Sequence, residues 1–392
     1  MRTWTLALST ALLAACTAAP VARQETPRFT HDALFAPPSE RVDASQVFAL
    51  SDEMRRYLAA EILPQSRVKG RQVALIDALY NRSQLKLVYD SSTTRNAAEA
   101  FASRSGNCLS LVIMTSAFAK ELGLGVRYQK VFVEDAIARD GDIYMAIGHV
   151  NLTLETHRTD ESIGVRVGKR PPESEALTVD FLPQEDVRGL RSQAIDESTV
   201  VAMYMNNRSV EALSDGRVDD AYWWVREAVA QAPGYLPAFN TLGVVYQRHG
   251  DPRDAEPVLR YVLDRDPRNT QAMSNLVAVL AALGRTEESR QLAATLQRID
   301  PEPPFAWFLR GMAALRANDF ATAKDAFEKE VARAPDYHEF HFWLAIALLG
   351  LGQGDEARAQ VALALENSTT RRDHDLYAAK LAKLSRHAPV VH

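Results

Sequence analysis

Apolar residues in the second half of the chain recur at helical spacing, and the pattern is punctuated at regular intervals. Pro233, Pro267, Pro301 and Pro335 stand 34 residues apart, and so do Gly216, Gly250, Gly284, Asn318 and Gly352. A third column with the same period holds Ala221, Ala255, Ser289, Ala323 and Ala357. Each unit reads as two helices, with a turn at the glycine column and a break at the proline column. Asn318 fits the turn column because Asn tolerates left-handed backbone better than most residues. The small third column lets the second helix approach the first. One such unit cannot bury its apolar face alone, so stability comes from stacking. The pattern predicts five units over residues 202–371. A capping helix and tail over 373–392 follow, with Leu376, Ala379, Leu381 and Leu384 set among Lys and Arg.

The pattern between residues 48 and 200 is mixed. A first helix starts near Ser51 or Asp52 and runs to Leu63, where Pro64 is expected to stop it. Asn96 to Arg104 reads as helix and Ser105-Gly106-Asn107 as a turn. Cys108 opens a long apolar helix through Leu122, closed by Gly123. Strands are predicted over 126–133, 143–154, 163–167 and 177–181. Residues 16–47 hold Pro20, Pro27, Pro37 and Pro38 and show no sustained period, which reads as a tether.

The N-terminus changes this picture. Arg2, an apolar run from Leu6 to Ala15, and small residues before Cys16 have the layout of an export signal over residues 1–15. The run is too short to span a bilayer, and no later stretch reaches about 18 apolar residues. With Lys+Arg at 45 and Asp+Glu at 50, loss of Arg2 with the signal leaves 44 − 50 = −6. No basic run tracks nucleic acid, so that class of partner is not expected. The sequence has two cysteines. With Cys16 at the signal's end, Cys108 is the lone thiol in an oxidising compartment, where an unpaired cysteine is either buried and inert or chemically employed.

Cys108 at a helix start, His149 in an apolar strand and Asp180 in another offer a nucleophile, a base and a group to orient the base. The helix dipole favours thiolate, and a carboxylate on the far ring nitrogen sets the imidazole's tautomer. His157 is the alternative base. In the repeats, the first helices of the fourth and fifth units place Phe308, Met312, Phe342 and Ile346 at concave positions suited to a polypeptide partner, or else to packing between repeats. His338 and His341 lie one helical turn apart. With no carboxylate or cysteine to complete a metal set, a solvated helix face is the expected reading, and no metal or other cofactor is expected.

Three resemblances accompany these readings. The 34-residue period, with Leu242-Gly243-x-x-Tyr246, Gly250, Ala255 and Pro267, then Trp307, Gly311, Ala323, Phe327 and Pro335, resembles tetratricopeptide repeats. That implies an all-α superhelix that binds polypeptides. Leu13-Ala14-Ala15-Cys16 resembles the lipobox of bacterial lipoproteins. It implies lipid on Cys16 and a membrane-anchored envelope protein, with the outer membrane expected because Thr17 and not Asp follows. Arg104-Ser105-Gly106-Asn107-Cys108-Leu109-Ser110-Leu111, with Gly148-His149-Val150 and Val179-Asp180-Phe181, resembles the transglutaminase-like superfamily. Leu109 stands where many members carry an aromatic residue. This resemblance implies an α+β papain-related domain over 48–200, with Cys108 as nucleophile, His149 as base and Asp180 as orienter. Two functions follow: a cysteine hydrolase or acyltransferase working on an amide, or a non-catalytic assembly lipoprotein with the same domain as a platform.

Overall fold

The computed structural model describes residues 29–80, 85, 87–91, 93–131, 137–140, 143–146, 149–156, 176–181 and 191–386. The signal segment, Cys16, His157 and the strand expected over 163–167 lie outside them.

The N-terminal unit begins with α1 (Asp52–Tyr57), a π-helical turn (Leu58–Ile62), α2 (Leu63–Lys69) and α3 (Arg71–Tyr80). Pro64 therefore does not stop the helix. The wide turn, in which the Leu63 N–H reaches back to the Leu58 carbonyl, lets the proline sit at the start of a new α segment, where its missing N–H costs little. The run ends instead at Gly70, with φ of 86°. Next come β1 (Val88–Tyr89), α4 (Ala97–Ser103), β2 (Ser105–Gly106) and α5 (Cys108–Glu121). Asn96 and Glu99 form a reciprocal capping box on α4. Every residue of α5 from Cys108 to Ala119 is buried, as expected of a helix that is apolar on all sides.

Behind α5 stands a four-stranded sheet in the order β7 (Leu177–Val179), β6 (His149–Glu155), β3 (Gly125–Val131) and β8 (Ser192–Ile195), antiparallel throughout. The strand expected over 143–154 is two. β5 (Ile143–Ala146) pairs with β4 (Ile137–Asp140), and β6 changes partner to β3. β8 was not legible, since Ser192-Gln193-Ala194 carries no apolar alternation.

The repeats are five antiparallel helix pairs. They are α6 (Glu197–Ser214) with α7 (Val218–Gln231), α8 (Leu236–His249) with α9 (Pro252–Arg265), and α10 (Thr270–Ala282) with α11 (Thr286–Ile299). α12 (Ala306–Arg316) with α13 (Phe320–Arg333), and α14 (His338–Gly350) with α15 (Gly354–Glu366), complete the set, and α16 (Arg371–Arg386) follows. The turn column behaves as expected: Gly216, Gly250, Gly284 and Gly352 all have positive φ, and Asn318 joins them at 58°. In the small column Ala221, Ala255, Ala323 and Ala357 are wholly buried, and the Ser289 hydroxyl finds the Val277 carbonyl at 2.9 Å.

Two cores result. One is continuous from Phe35 through the N-terminal unit and the first three helix pairs to Leu280. The other runs from Phe305 to Tyr377 and joins the fourth and fifth pairs to α16. Between them α11 buries only Ser289.

Residues 29–47 are not a free tether. The Phe29 ring packs edge-on to Phe239 and Tyr261, and the Tyr246 hydroxyl donates to the Phe29 carbonyl at 2.6 Å. Phe35 stacks flat on Tyr222, with ring centres 3.8 Å apart. Ser39 donates its N–H and hydroxyl to the buried Asp220 carboxylate, each at 2.6 Å. Glu40 meets Arg208, Arg217 and the Trp224 indole N–H. Val47 is buried, and its carbonyl accepts the Ala97 N–H. The segment thus straps the first two repeats to the N-terminal unit. Phe29, Phe35, Ser39 and Glu40 reach partners on α6 to α9.

Candidate functional site

Cys108 is the first residue of α5, and Asn107 is its N-cap, accepting the Ser110 N–H at 2.9 Å. Ser105 and Gly106, the two residues before the cap, pair in parallel with Val88 and Tyr89. Gly106 is required there, because a Cβ would lie 2.6 Å from the Ser110 Cβ. The N–H groups of Cys108 and Leu109 belong to the first helical turn and have no intrahelical acceptor.

His149 opens β6, and Asp180 follows directly on β7, the neighbouring strand. The structure brings them together: His149 Nε2 lies 2.6 Å from Asp180 Oδ1. The Cys108 side chain is near enough to act on the ring electrostatically. Asn151, two residues along the same strand face, donates its Nδ2 to Asp180 Oδ2 at 2.8 Å. So the carboxylate is held from both sides. Asn151 was missed by sequence reasoning, although its i, i+2 relation to His149 was a readable signal. Asp180 lies just past the strand end and not within it.

Cys108 and His149 are buried, at 6% and 3% exposure. Burial pulls the imidazole's pKa down, but its hydrogen bond to Asp180 and the charges on Cys108 and Asp180 outweigh that and push it up to about 9. The carboxylate and the sulfur beside the ring favour its protonated form. Tyr89 on β1 is the aromatic neighbour of the thiol. It is 41% exposed, and partial desolvation, then the charges of Cys108 and Asp90, raise its phenol's pKa. Asp90 in turn pairs with Arg95 at 3.0 Å.

The groove residues part company. Phe308 is fully buried, its ring among Phe305, Phe327 and Phe340, so it belongs to the core and not to a concave surface. The reason is local: Gly311 and Phe327 bring α12 and α13 so close that a Cβ on Gly311 would lie 2.6 Å from the Phe327 ring. Met312, Phe342 and Ile346 are half-buried. Phe342 packs on Tyr377 of α16, with ring centres 5.1 Å apart. His338 and His341 do not form a solvated face. His341 is buried, with Nδ1 and Nε2 each 2.6 Å from an oxygen, on Gln360 and Pro335 respectively. His338 bonds the Tyr377 hydroxyl at 2.8 Å. Among the described residues no cluster of His, Cys, Asp and Glu is arranged to hold a metal ion, and no helix is long and apolar enough to cross a membrane.

Known proteins share the repeats. Two family models, each described as tetratricopeptide repeat, match residues 246–309 and 308–371. A TPR repeat-containing protein of Pseudomonas aeruginosa is 27% identical over 129 residues, covering 32% of this chain and 22% of the relative. The type IV pilus assembly protein PilF of the same organism is 30% identical over 121 residues, covering 30% of this chain and 48% of the relative. The chain thus spans about a fifth and about half of the length of these curated relatives. Among solved structures, a thermophilic TPR protein of Thermus thermophilus is 21% identical with a TM-score of 0.31, covering 47% of this chain and 99% of that one. A PilF structure from Pseudomonas aeruginosa is 23% identical with a TM-score of 0.30, covering 49% of this chain and 86% of that one. Repeats of this kind generally mediate binding to polypeptide partners. On its 34-residue period, its helix pairs and the two family-model matches, the C-terminal region of the chain is an array of tetratricopeptide repeats.

Proposed function

We propose that this chain is a polypeptide-binding repeat scaffold of the bacterial cell envelope whose N-terminal unit carries a cysteine site for acyl transfer from an amide. The observation that supports the chemistry is the meeting of Cys108, His149 and Asp180, drawn from one helix start and the ends of two neighbouring strands. The resemblance of the Cys108 segment to transglutaminase-like proteins points the same way.

In this reading Cys108 Sγ attacks the amide carbonyl carbon, and the oxyanion meets the free N–H groups at the start of α5. His149 gives its proton to the leaving amine as the C–N bond breaks, which leaves a thioester on Cys108. Water or a second amine then attacks the thioester. His149 takes up the proton from that nucleophile, and the thiolate departs. Asp180 keeps the ring oriented, and Asn151 keeps Asp180 in place. The repeats present the polypeptide.

Alkylation of Cys108 by iodoacetamide tests this. The thiol is expected to react at pH 7 at least about tenfold faster than a free cysteine peptide. His149→Ala is expected to remove that advantage and Cys108→Ser to abolish labelling. The imidazolium also has a stability signature. Its pKa is raised in the folded protein, so its contribution is complete below about 6.5 and is lost as pH rises through about 9. Unfolding free energy should fall across that window in the unaltered chain and stay flatter in His149→Ala. Labelling at the peptide rate, indifferent to His149, would reject the catalytic reading.

A second reading is a non-catalytic assembly scaffold. The burial of the thiol favours it, and so does the fact that the family matches lie in the repeats, one relative being named for pilus assembly. An inert Cys108 would select it. Both readings place the protein at a membrane through lipid on Cys16. Cys16→Ala is expected to abolish labelling by a fatty-acid probe and to move the protein from the membrane fraction. Unchanged fractionation would dismiss the anchor.

A further inference from the structure

Thr94 lies in the segment between β1 and α4, 2% exposed, where the N-terminal unit meets the first repeat helix. A hydroxyl oxygen has two lone pairs to share, and here both are used. The Thr94 oxygen accepts Asn107 Nδ2 at 2.9 Å and Asn207 Nδ2 at 3.2 Å. The Thr94 backbone N–H also donates to Glu211 Oε1, at 2.7 Å. Glu211 and Asn207 both belong to α6, the first helix of the repeats.

The consequence falls on Asn107. With Asn207 Nδ2 already donating to it, the Thr94 oxygen serves as an acceptor toward both amides. Asn107 must therefore offer it the NH2 end of its amide. That turns Oδ1 toward α5, where it accepts the Ser110 N–H at 2.9 Å and the Ser110 hydroxyl at 2.8 Å. The ring closes through Arg95, whose N–H donates to the Ser110 hydroxyl at 2.8 Å. Reversal of the Asn107 amide would set its NH2 against the Ser110 N–H and withdraw the donor that Thr94 receives. The cap on the helix that carries Cys108 is thus oriented from the repeat side.

We propose that the first repeat helix is a working part of the thiol site: Glu211 and Asn207 hold Thr94, and Thr94 sets the cap that positions Cys108. These three are positioning residues. The inference rests on the cysteine reading above for its chemical readout and on geometry alone for its structural one. It also gives the joining of a repeat array to this unit a physical meaning, because a displacement of α6 reaches the start of α5 through two side chains.

The test uses the full chain with three substitutions and two measurements. Thr94→Val keeps the shape and removes the hydroxyl, Thr94→Ser keeps the hydroxyl, and Glu211→Ala removes the anchor on α6. In Thr94→Val and Glu211→Ala, iodoacetamide labelling of Cys108 is expected to slow about fivefold, and the Ser110 amide is expected to exchange its hydrogen about fivefold faster, the scale of losing a helix cap. Thr94→Ser is expected to restore both. Labelling and exchange within twofold of the unaltered chain in Thr94→Val and Glu211→Ala would overturn the proposal. If Cys108 proves inert in the unaltered chain, the cysteine reading fails by itself, and the Ser110 exchange rate still decides whether α6 orients the cap.

Discussion

A chain that begins at residue 48, without the strap, is expected to lose the first two repeats as a stable unit. The strap's contacts are of the kind whose loss is expensive. Phe35 is 6% exposed, stacked on Tyr222 and in contact with Tyr246 and His249. Removing such a buried ring costs about 3–5 kcal/mol. Asp220 is 5% exposed, and Ser39 supplies two of its hydrogen bonds. Stripping partners from a buried charge is costly on a similar scale, of several kcal/mol. Arg208 and Arg217 would both lose Glu40 as well. Together these approach the entire stability of an ordinary domain, about 5–15 kcal/mol. Because the strap shares one core with the N-terminal unit and the first three helix pairs, the damage should spread through that core. The second core, Phe305 to Tyr377, contains no strap residue and is expected to keep its own transition. Thermal or urea unfolding followed by circular dichroism would show an early transition, absent from the full chain. Phe35→Ala is the milder version, with the same transition lowered but not lost. A chain from residue 48 that melts within about 2 °C of the full chain would refute the strap. The same reasoning changes the expectation for repeats cut away from the N-terminal unit. Their period implies independence, but their first two units share partners with residues 29–47.

What the sequence revealed follows from how periodic each signal is. The repeat columns are periodic over five units, so the places of Gly216, Asn318 and Ala323 follow from the sequence alone. The positive φ at Asn318 is the sharpest instance, since a side chain tolerant of left-handed backbone stands where glycine stands elsewhere. The strap had no period to read. Phe29, Phe35 and Glu40 find their partners about 180 to 220 residues away, and nothing in their spacing announces that. Pro64 misled because a proline in a helical run signals a stop, and the π turn that absorbs it depends on backbone hydrogen bonds invisible in composition. At the site, Cys108, His149 and Asp180 were singled out by residue type and order. Asn151 and Thr94 were not, because Asn151 meets Asp180 only through strand register and Thr94 meets Asn207 and Glu211 only through the packing of α6. Phe308 was misplaced because a helix facing both a groove and its own partner helix shows apolar residues on each side, and period alone does not tell them apart.

Phe308→Ala is therefore expected to act as a core deletion. The ring is fully buried, with Phe305, Phe327 and Phe340 at centroid distances of 6.0, 5.7 and 5.7 Å. The close approach at Gly311 leaves α12 and α13 little room to collapse onto the space left behind. The backbone gives no slack either, because the Phe308 N–H donates to Glu330, itself buried without exposure. A loss of about 3–5 kcal/mol follows for an aromatic ring removed from such a site. In a core of this size each kcal/mol moves the midpoint by roughly 4–8 °C, so the transition of the fourth and fifth repeats should fall by more than about 10 °C. Phe342→Ala, half-buried against Tyr377, should cost less, and its effect should pass through the seating of α16. A binding groove would give the opposite pattern: Phe308→Ala would leave the melting temperature within about 2 °C and weaken capture of a polypeptide partner. That result would return Phe308 to the concave surface and require α12 to turn relative to α13, which the contact at Gly311 opposes.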